Sequence, residues 1–331
     1  MTTAAARRPA RICAIVVTFN RLDHLRQTVA RLLSEALDHV IVVENACTDG
    51  TRDWLRMQND PRLHVVELPE NIGGAGGFEA GMREARAIYR PDWYLLMDDD
   101  ARPLPGAVAQ FRDQLPYCAQ TGVVLAAARF PQGGVCEMNR PWRNPFWHKS
   151  IFLRTLFGGG RKGFHISDAD YERQAPMPVD GGSFVGQFIS AAAVDRCGFP
   201  DGRLFIYGDD VLYSLEVARA GFANWFDPRL HWEHDFGTFD RAHQRAYYPL
   251  WKVYYNFRNG LMLYRAAAGP LLFWGVLLLV VPKWALSARH YGEHSRTFLR
   301  ILARAVWDGL RGKRNVSHPE VLALTERAAR R

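Results

Sequence analysis

The sequence predicts an α/β fold, a mostly parallel sheet with helices on both faces, followed by a helical and basic C-terminal extension. Three observations carry this. Through the first hundred residues, short apolar runs alternate with stretches of helical periodicity. Polar or glycine-rich residues close each of the first four apolar runs. Beyond residue 245 the composition shifts to apolar and basic stretches without that alternation.

Ile12–Val17 is apolar at every position, as in a strand covered on both faces. It is too short for a signal peptide's apolar core and leads straight into a polar motif. Arg21–Ala36 follows with Leu22, Leu25, Val29, Leu32 and Leu33 at helical spacing. His39–Val43 is a second strand, ending in the polar turn Glu44–Gly50, and Thr51–Gln58 a second helix. Leu63–Glu67 is a third strand. The glycine-rich loop Asn71–Gly77 then opens a helix over Phe78–Tyr89, and Trp93–Met97 is a fourth strand running into three aspartates. Farther on, Gly122–Phe130 reads as a strand, and Pro131–Phe164 as a loop or flexible excursion. Val211–Ala220 reads as a helix, and Pro228 precedes a histidine-rich turn. Ligands of such sheets bind outside the carboxyl ends of the strands. Thr18, Asn20 and Arg21, then Glu44 and Asn45, then Asn71 and the glycines, then Asp98–Asp100, occupy four such ends in succession, which predicts one composite site.

The 331 residues are 48% hydrophobic and 23% charged, an ordinary globular composition. Lysine and arginine number 42 against 34 acids, and the net charge of +8 suits a polyanionic partner: nucleic acid, anionic lipid or a phosphorylated small molecule. The basic residues make no aromatic-interleaved stripe, so nucleic acid is not expected. Five scattered cysteines, without CxxC spacing, argue against a disulfide framework and for a reducing compartment. There is no GxxxxGK[ST], which disfavours a P-loop kinase or ATPase, and no GxGxxG after the first strand, which disfavours a dinucleotide-binding oxidoreductase.

Three constellations carry chemistry. Adjacent aspartates repel and raise one another's pKa, a cost that a hard divalent cation removes. In Asp98-Asp99-Asp100 the first and third side chains point to one side and can share a metal ion; a solvated acidic turn is the alternative. Gly208-Asp209-Asp210 opens a helix, where a carboxylate serves either as a cap or as a general base for a sugar hydroxyl. His231-Trp232-Glu233-His234-Asp235 offers two histidines, as metal ligands or as packed residues. The glycine-rich segment lets backbone approach a phosphate or nucleotide closely at a helix start.

These residues resemble family 2 glycosyltransferases, which have the GT-A fold with its Rossmann-like sheet. The resemblance runs over residues 10–260 through Val17–Arg21, Val42–Thr51, Asn71–Gly77, the DxD-like Met97–Ala101 and the acidic Phe205–Asp210. GGAGGF, the triple aspartate and Tyr254–Asn259 are most similar to bacterial galactofuranosyltransferases, with rhamnosyltransferases using dTDP-rhamnose the nearest rival. The resemblance implies that Thr18, Asn20, Arg21, Glu44 and Asn45 hold the base and ribose of a uridine diphosphate, and that Asn71 and Gly74 line the nucleotide-sugar site. It implies that Asp98 and Asp100 contact Mn2+ or Mg2+ and the diphosphate, with Asp99 supporting them. Asp210 is then the general base, Asp209 the fallback, and His234 (or His231) the late metal ligand. Glu44 departs from relatives, which more often have Asp there. The implied reaction is inverting transfer from a UDP-sugar to a glycan or polyprenyl-linked glycan; a catalytically silent nucleotide-sugar-binding protein is the alternative that the retained acidic motifs argue against.

The expected organisation is a catalytic domain over 1–245, with a nucleotide-sugar half over 10–120 and an acceptor half over 121–245, and a C-terminal region over 246–331. Within the latter, Ala266–Pro282 is uncharged and includes Gly269 and Pro270. It is at the lower limit for a bilayer span, and with Trp284, Lys283 and Arg289 beside it reads as an interfacial helix; a buried helix and a true span are the other readings. The expected location is cytoplasmic, peripheral on the anionic inner face of the cell membrane.

Overall fold

All seven residues of β1 (Ile12–Thr18) are buried, as an unbroken apolar run requires when a strand lies mid-sheet with both faces covered. The structure, a computed structural model, describes residues 8–115, 117–235 and 246–326. The boundary expected at residue 245 falls at the edge of 236–245, outside the described residues. β1 pairs in parallel with β2 (His39–Glu44) and with β4 (Trp93–Asp98), and β2 with β3 (Leu63–Glu67). Beyond β4 come β8 (Gln187–Ser190), β6 (Thr121–Arg129), β9 (Ala223–His234) and β5 (Ala101–Pro103), while β7 (Met177–Val179) pairs with β9. The sheet is thus parallel through its first half and mixed beyond, because β8 runs antiparallel to both β4 and β6.

Strand alternation divides the core into two layers. Ile12, Ala14, Val16, Val40, Val42, Leu95 and Met97 face α1 (Leu22–Ser34) through its Leu25, Val29 and Leu32. Cys13, Ile15, Val17, Ile41, Val43, Tyr94 and Leu96 face α3 (Gly73–Ile88) through Phe78, Met82 and Ala85. At Gly81 a Cβ would lie 2.5 Å from Ile15 and 2.8 Å from Val43, so glycine there is what lets α3 settle onto the sheet. α2 (Thr51–Arg56) lies between β2 and β3, and α4 (Ala107–Asp113) follows β5.

Three expectations change. α3 begins at Gly73, so the glycine run forms its first turn rather than a loop before it. The stretch 131–164 contains two short helices, α5 (Lys149–Arg154) and α6 (Gly160–Phe164), followed by α7 (Asp168–Tyr171). Pro228 lies inside β9 rather than before a turn. The pairing with β6 jumps from Ala126↔Asp227 to Ala127↔His231, and the proline sits in that irregularity, where no ladder hydrogen bond is asked of it.

α8 (Ala191–Cys197) and α9 (Asp209–Arg219) cover the second half of the sheet. α10 (Trp251–Leu286) is broken at Gly269 (φ 71°, ψ 177°) into arms over 251–268 and 270–286. Trp284 in the second arm packs on Phe257 of the first, ring centroids 4.8 Å apart, and lies 3.7 Å from where a Cβ on Gly260 would be. The arms therefore fold back on each other. Val253, Tyr254, Tyr255 and Phe257 of the first arm share a core with Phe298, Ile301, Leu302 and Ala305 of α11 (Ser295–Leu310) and with Val321 of α12 (His318–Glu326).

Candidate active site

The ends of β1, β2 and β4 and the start of α3 converge. At the end of β4, Asp99 and Asp100 are buried and Asp98 partly so. Thr18 at the end of β1 donates its hydroxyl to Asp99 Oδ2 (2.8 Å), and Thr28 of α1 donates to the Asp99 carbonyl (2.6 Å). Arg21 pairs with Asp100 and lies 3.6 Å from Asp99. Asp99 is thereby turned away from its two neighbours, and Asp98 and Asp100 share the other side.

His234 completes that side. The antiparallel ladder sets Ala101 opposite His234, so the last residue of β9 arrives beside Asp100. His234 Nε2 lies 3.1 Å from Asp100 Oδ1, and its Nδ1 donates to Asn139 Oδ1 at 2.7 Å. Asn139 is itself oriented by donating Nδ2 to Ser183 Oγ. With Nδ1 donating to Asn139, Nε2 donates to Asp100, and loss of that Nε2 proton would free the nitrogen for a cation while Asn139 keeps the ring oriented. Ligand atoms of Asp98, Asp100 and His234 all lie within 4.8 Å of one another, a spacing that small side-chain adjustments close around one cation. His231 lies three residues back on the same strand, is exposed, and does not join this group.

The electrostatics fit a cation. Burial first, then the charges of its neighbours Asp100 and Asp99, raises Asp98 to about 7. Burial also raises Asp99 to about 7 against the opposing pull of Arg21. Burial works against Asp100 too, but His234 and Arg21 outweigh it and hold its carboxyl below the usual range. Burial disfavours charge on His234, yet the hydrogen bond to Asp100, with Cys136 and the acidic charges, raises it to about 10. Three carboxylates thus crowd together with Arg21 and His234 to balance them.

The remaining residues that the resemblance implies at the donor site form a bracket. Asn45 is buried, takes the Ile72 N–H on its Oδ1 (3.0 Å) and donates Nδ2 to Asn71 Oδ1 and to the Gly73 carbonyl (both 3.1 Å). Asn71 Oδ1 also accepts the Gly73 N–H (2.8 Å). Asn20 Oδ1 accepts the Thr48 N–H (2.7 Å), joining the β1 and β2 ends. At Gly74 the space a side chain would take is open. Glu44 is fully buried, with Arg52 Nη2 2.6 Å from its Oε2 and the Cys47 N–H on its Oε1, so its carboxylate braces the 44–48 turn. A cleft of about 570 Å³ opens alongside, lined by Asn20, Arg21, Asp23, His24, Asp49 and Asp235.

Asp209 and Asp210 start α9, after Gly208 at φ 79°. Asp210 Oδ1 accepts the Val211 N–H (2.7 Å). Burial raises Asp210 to about 6, with backbone amides opposing. Burial, then the charge of Asp210, raises Asp209 well above the carboxylate range, and the charge of Asp98 adds to it, so the two acidic motifs share one field. The loop leading in is strained: Phe205 has φ 69° and Tyr207 φ 70°, backbone that aromatic residues avoid. What holds it comes from α10. Asn259, buried, donates Nδ2 to the carbonyls of Leu204 (3.1 Å), Ile206 (2.9 Å) and Tyr207 (2.8 Å), and Arg258 donates Nη2 to Leu204 (3.0 Å) and Nε to Asn259 Oδ1 (2.8 Å). The Phe205 ring stacks on Tyr255 and His318, at 4.8 and 4.3 Å. Its carbonyl accepts the Ala75 N–H (3.1 Å) and would lie 2.1 Å from a Cβ on Gly73 (φ 78°), where only glycine fits.

The resemblance drew attention to Tyr254–Asn259 without giving it a role; the contact it makes lies more than fifty positions back along the chain. For the UDP-sugar transfer that the resemblance implies, Asn259→Ala is expected to lower kcat by about a hundredfold, the effect of an ångström-scale misplacement of a reacting group, with little change in UDP affinity. Asn259→Asp should not restore the rate, because a carboxylate cannot donate to three carbonyls. Steady-state kinetics beside UDP titration would check this, and a rate restored by Asp would refute it.

A sheet of this order, with an acidic triplet meeting a strand-borne histidine and a second acidic pair at a helix start, is the arrangement of the GT-A fold. Residues 13–169, just under half of the chain, match the model of glycosyl transferase family 2. Over 213 residues the chain is 32% identical to galactofuranosyltransferase GlfT1 of Mycolicibacterium smegmatis, covering 63% of this chain and 66% of that protein. It is 30% identical to GlfT1 of Mycobacterium tuberculosis (strain CDC 1551 / Oshkosh), covering 63% and 65%. The match thus spans just under two thirds of the length of these relatives. The solved mannosyltransferase PcManGT from Pyrobaculum calidifontis, in complex with GDP-Man and Mn2+, shares the fold over 97% of this chain and 80% of its own, with a TM-score of 0.53 and 17% identity.

Proposed function

We propose that the chain is an inverting, metal-dependent transferase that moves galactofuranose from UDP-galactofuranose to a glycan or lipid-linked glycan, at an anionic membrane surface on the cytoplasmic side. The convergence of Asp98, Asp100 and His234 on one point, in the same field as Asp209 and Asp210, carries the reaction type. The likeness to galactofuranosyltransferases supports the sugar. A catalytic domain ending near residue 245, with a C-terminal helical region from 246, remains the organisation we favour.

Asp98, Asp100 and His234 would hold Mn2+ or Mg2+, which when bound neutralises charge on the departing diphosphate. Arg21, with its side chain 38% exposed toward the cleft, is placed to pass from the aspartates to that diphosphate. Thr18, Asn20 and Asn45 shape the nucleoside side, and Asn71 and the open space at Gly74 the diphosphate side. Asp210 takes the proton of the acceptor hydroxyl as that oxygen attacks the anomeric carbon. The bond to the diphosphate breaks on the opposite face, and the configuration inverts. Burial and the charge of its neighbour push Asp209 upward, which favours Asp210 as the member of the pair that gives up its proton first.

A base raised to about 6 is protonated below that pH, so kcat/KM should fall about tenfold per unit on the acid side of 6. A pH–rate profile flat down to about 4.5 would exclude Asp210 as the base. A donor screen with Mn2+, comparing UDP-galactofuranose with UDP-glucose and dTDP-rhamnose, tests the sugar; preferential transfer from dTDP-rhamnose would replace the galactofuranose assignment.

A further inference from the structure

The second arm of α10 presents an apolar face that nothing in the described structure covers. Leu271, Leu278, Leu279 and Leu286 are 88, 75, 75 and 69% exposed, and Leu272 and Trp274 are 50 and 57% exposed. Steps of three, four and seven residues put these on one side of a helix. The opposite side is bound back to the first arm: Phe273 is buried under the Arg265 guanidinium, and Trp284 packs on Phe257 and Tyr264.

Length and hydropathy alone would let Trp251–His290 cross a bilayer as a single rod. The break at Gly269 removes that option. A helical hairpin returns to the side it came from, and the second arm by itself reaches about 25 Å, short of a hydrocarbon core of about 30 Å. The first arm is not free for lipid either, because its buried Arg258 and Asn259 are tied to the loop that carries Asp209 and Asp210. The exposed leucines run the whole length of the second arm instead of clustering at its tip, so the arm suits contact along its side.

The surroundings are cationic. Residues 270–315 contain eight lysines and arginines, against Glu293 and the buried Asp308. α11, packed beside α10, exposes Arg296, Leu299, Arg300 and Trp307 at helical spacing, and Arg311 just past its end lies over the Trp307 ring at 4.3 Å. Leucine, tryptophan and arginine on one surface are the chemistry of an anionic headgroup layer over acyl chains.

We propose that the second arm of α10 lies in the plane of an anionic bilayer surface, entering and leaving from the same side, with Leu271, Trp274, Leu278 and Leu279 toward the acyl chains and α11 supplying headgroup contacts. This rests on the membrane-surface reading above and sharpens it to a face and an orientation. The test uses the purified full chain, floated with vesicles of phosphatidylcholine alone or mixed with phosphatidylglycerol. The wild type should float with the anionic vesicles and be released by alkaline carbonate. The double substitution L278E/L279E should reduce flotation at least about tenfold, and R296E/R300E should reduce it about tenfold on anionic vesicles only. Both variants should keep Mn2+-dependent UDP binding, which shows that they fold.

Resistance to carbonate would mean that the segment crosses, and unchanged flotation of L278E/L279E would mean that another face docks; either overturns the inference. Failure of the wild type to float overturns it too, including the case in which it is a dimer that L278E/L279E separates, where a second copy covers the face. Transfer to a short soluble acceptor is read on the same samples. If the wild type floats as expected but transfers nothing, the transferase reading fails while the docking face is supported.

Discussion

Replacing Asp210 with asparagine is expected to lower kcat by about 10²–10⁴-fold, the range for loss of a positioned general base, without weakening UDP binding. The structure makes this a clean substitution. The amide side chain would retain an oxygen for the Val211 N–H that now reaches Asp210 Oδ1 at 2.7 Å. Ser214 donates to the Asp210 carbonyl, which the change does not touch. Only the capacity to accept a proton goes, and with it the acid limb expected near pH 6. Single-turnover rates beside UDP calorimetry would separate chemistry from binding. Near-normal transfer by Asp210→Asn, with Asp209→Asn inactive, would move the role to Asp209.

The second large effect is expected at the metal group. Asp100→Ala removes one ligand atom of three and should lower kcat/KM by about 10³, equivalent to the several kcal/mol of transition-state charge stabilisation a Lewis-acidic cation contributes. The Mn2+ concentration for half-maximal activity should rise in the same variant. Because Asp100 also meets His234 and Arg21, its removal leaves two buried or half-buried cations without that partner, so a thermal melt is needed alongside. Asp99→Asn serves as the contrast: its side chain is engaged by Thr18 on the far side of the triplet and should cost much less. Wild-type activity indifferent to chelator would refute the metal assignment.

Much of the first half was legible because its signal is local. β1 to β4 are short apolar runs whose even and odd positions face different helices, and each ends where polarity returns. The strand-end rule then collected Thr18, Asn45, Asn71 and the aspartates into one neighbourhood without knowledge of a single contact. β9 was harder, since Pro228 reads as a breaker; only the skipped register against β6 accommodates it. The choice between the two histidines was latent in that strand, because residues three apart on a strand face opposite ways, and His234 shares the inward side with buried Trp232. The pairing of Glu44 with Arg52 is one that periodicity does not reveal. The brace from Asn259 to the 204–207 loop was invisible for a different reason: it joins segments far apart along the chain, through side-chain-to-carbonyl bonds that leave no pattern in either.

That brace bears on how the molecule can be taken apart. The Phe205 carbonyl meets the first turn of α3 while its ring is clasped by Tyr255 and His318. The helices after residue 250 are therefore no detachable anchor. A chimera that exchanges them for those of a homologue imports a new seat for the acidic pair, and its altered turnover would be misread as a change of acceptor preference unless Arg258, Asn259 and His318 travel together with Phe205.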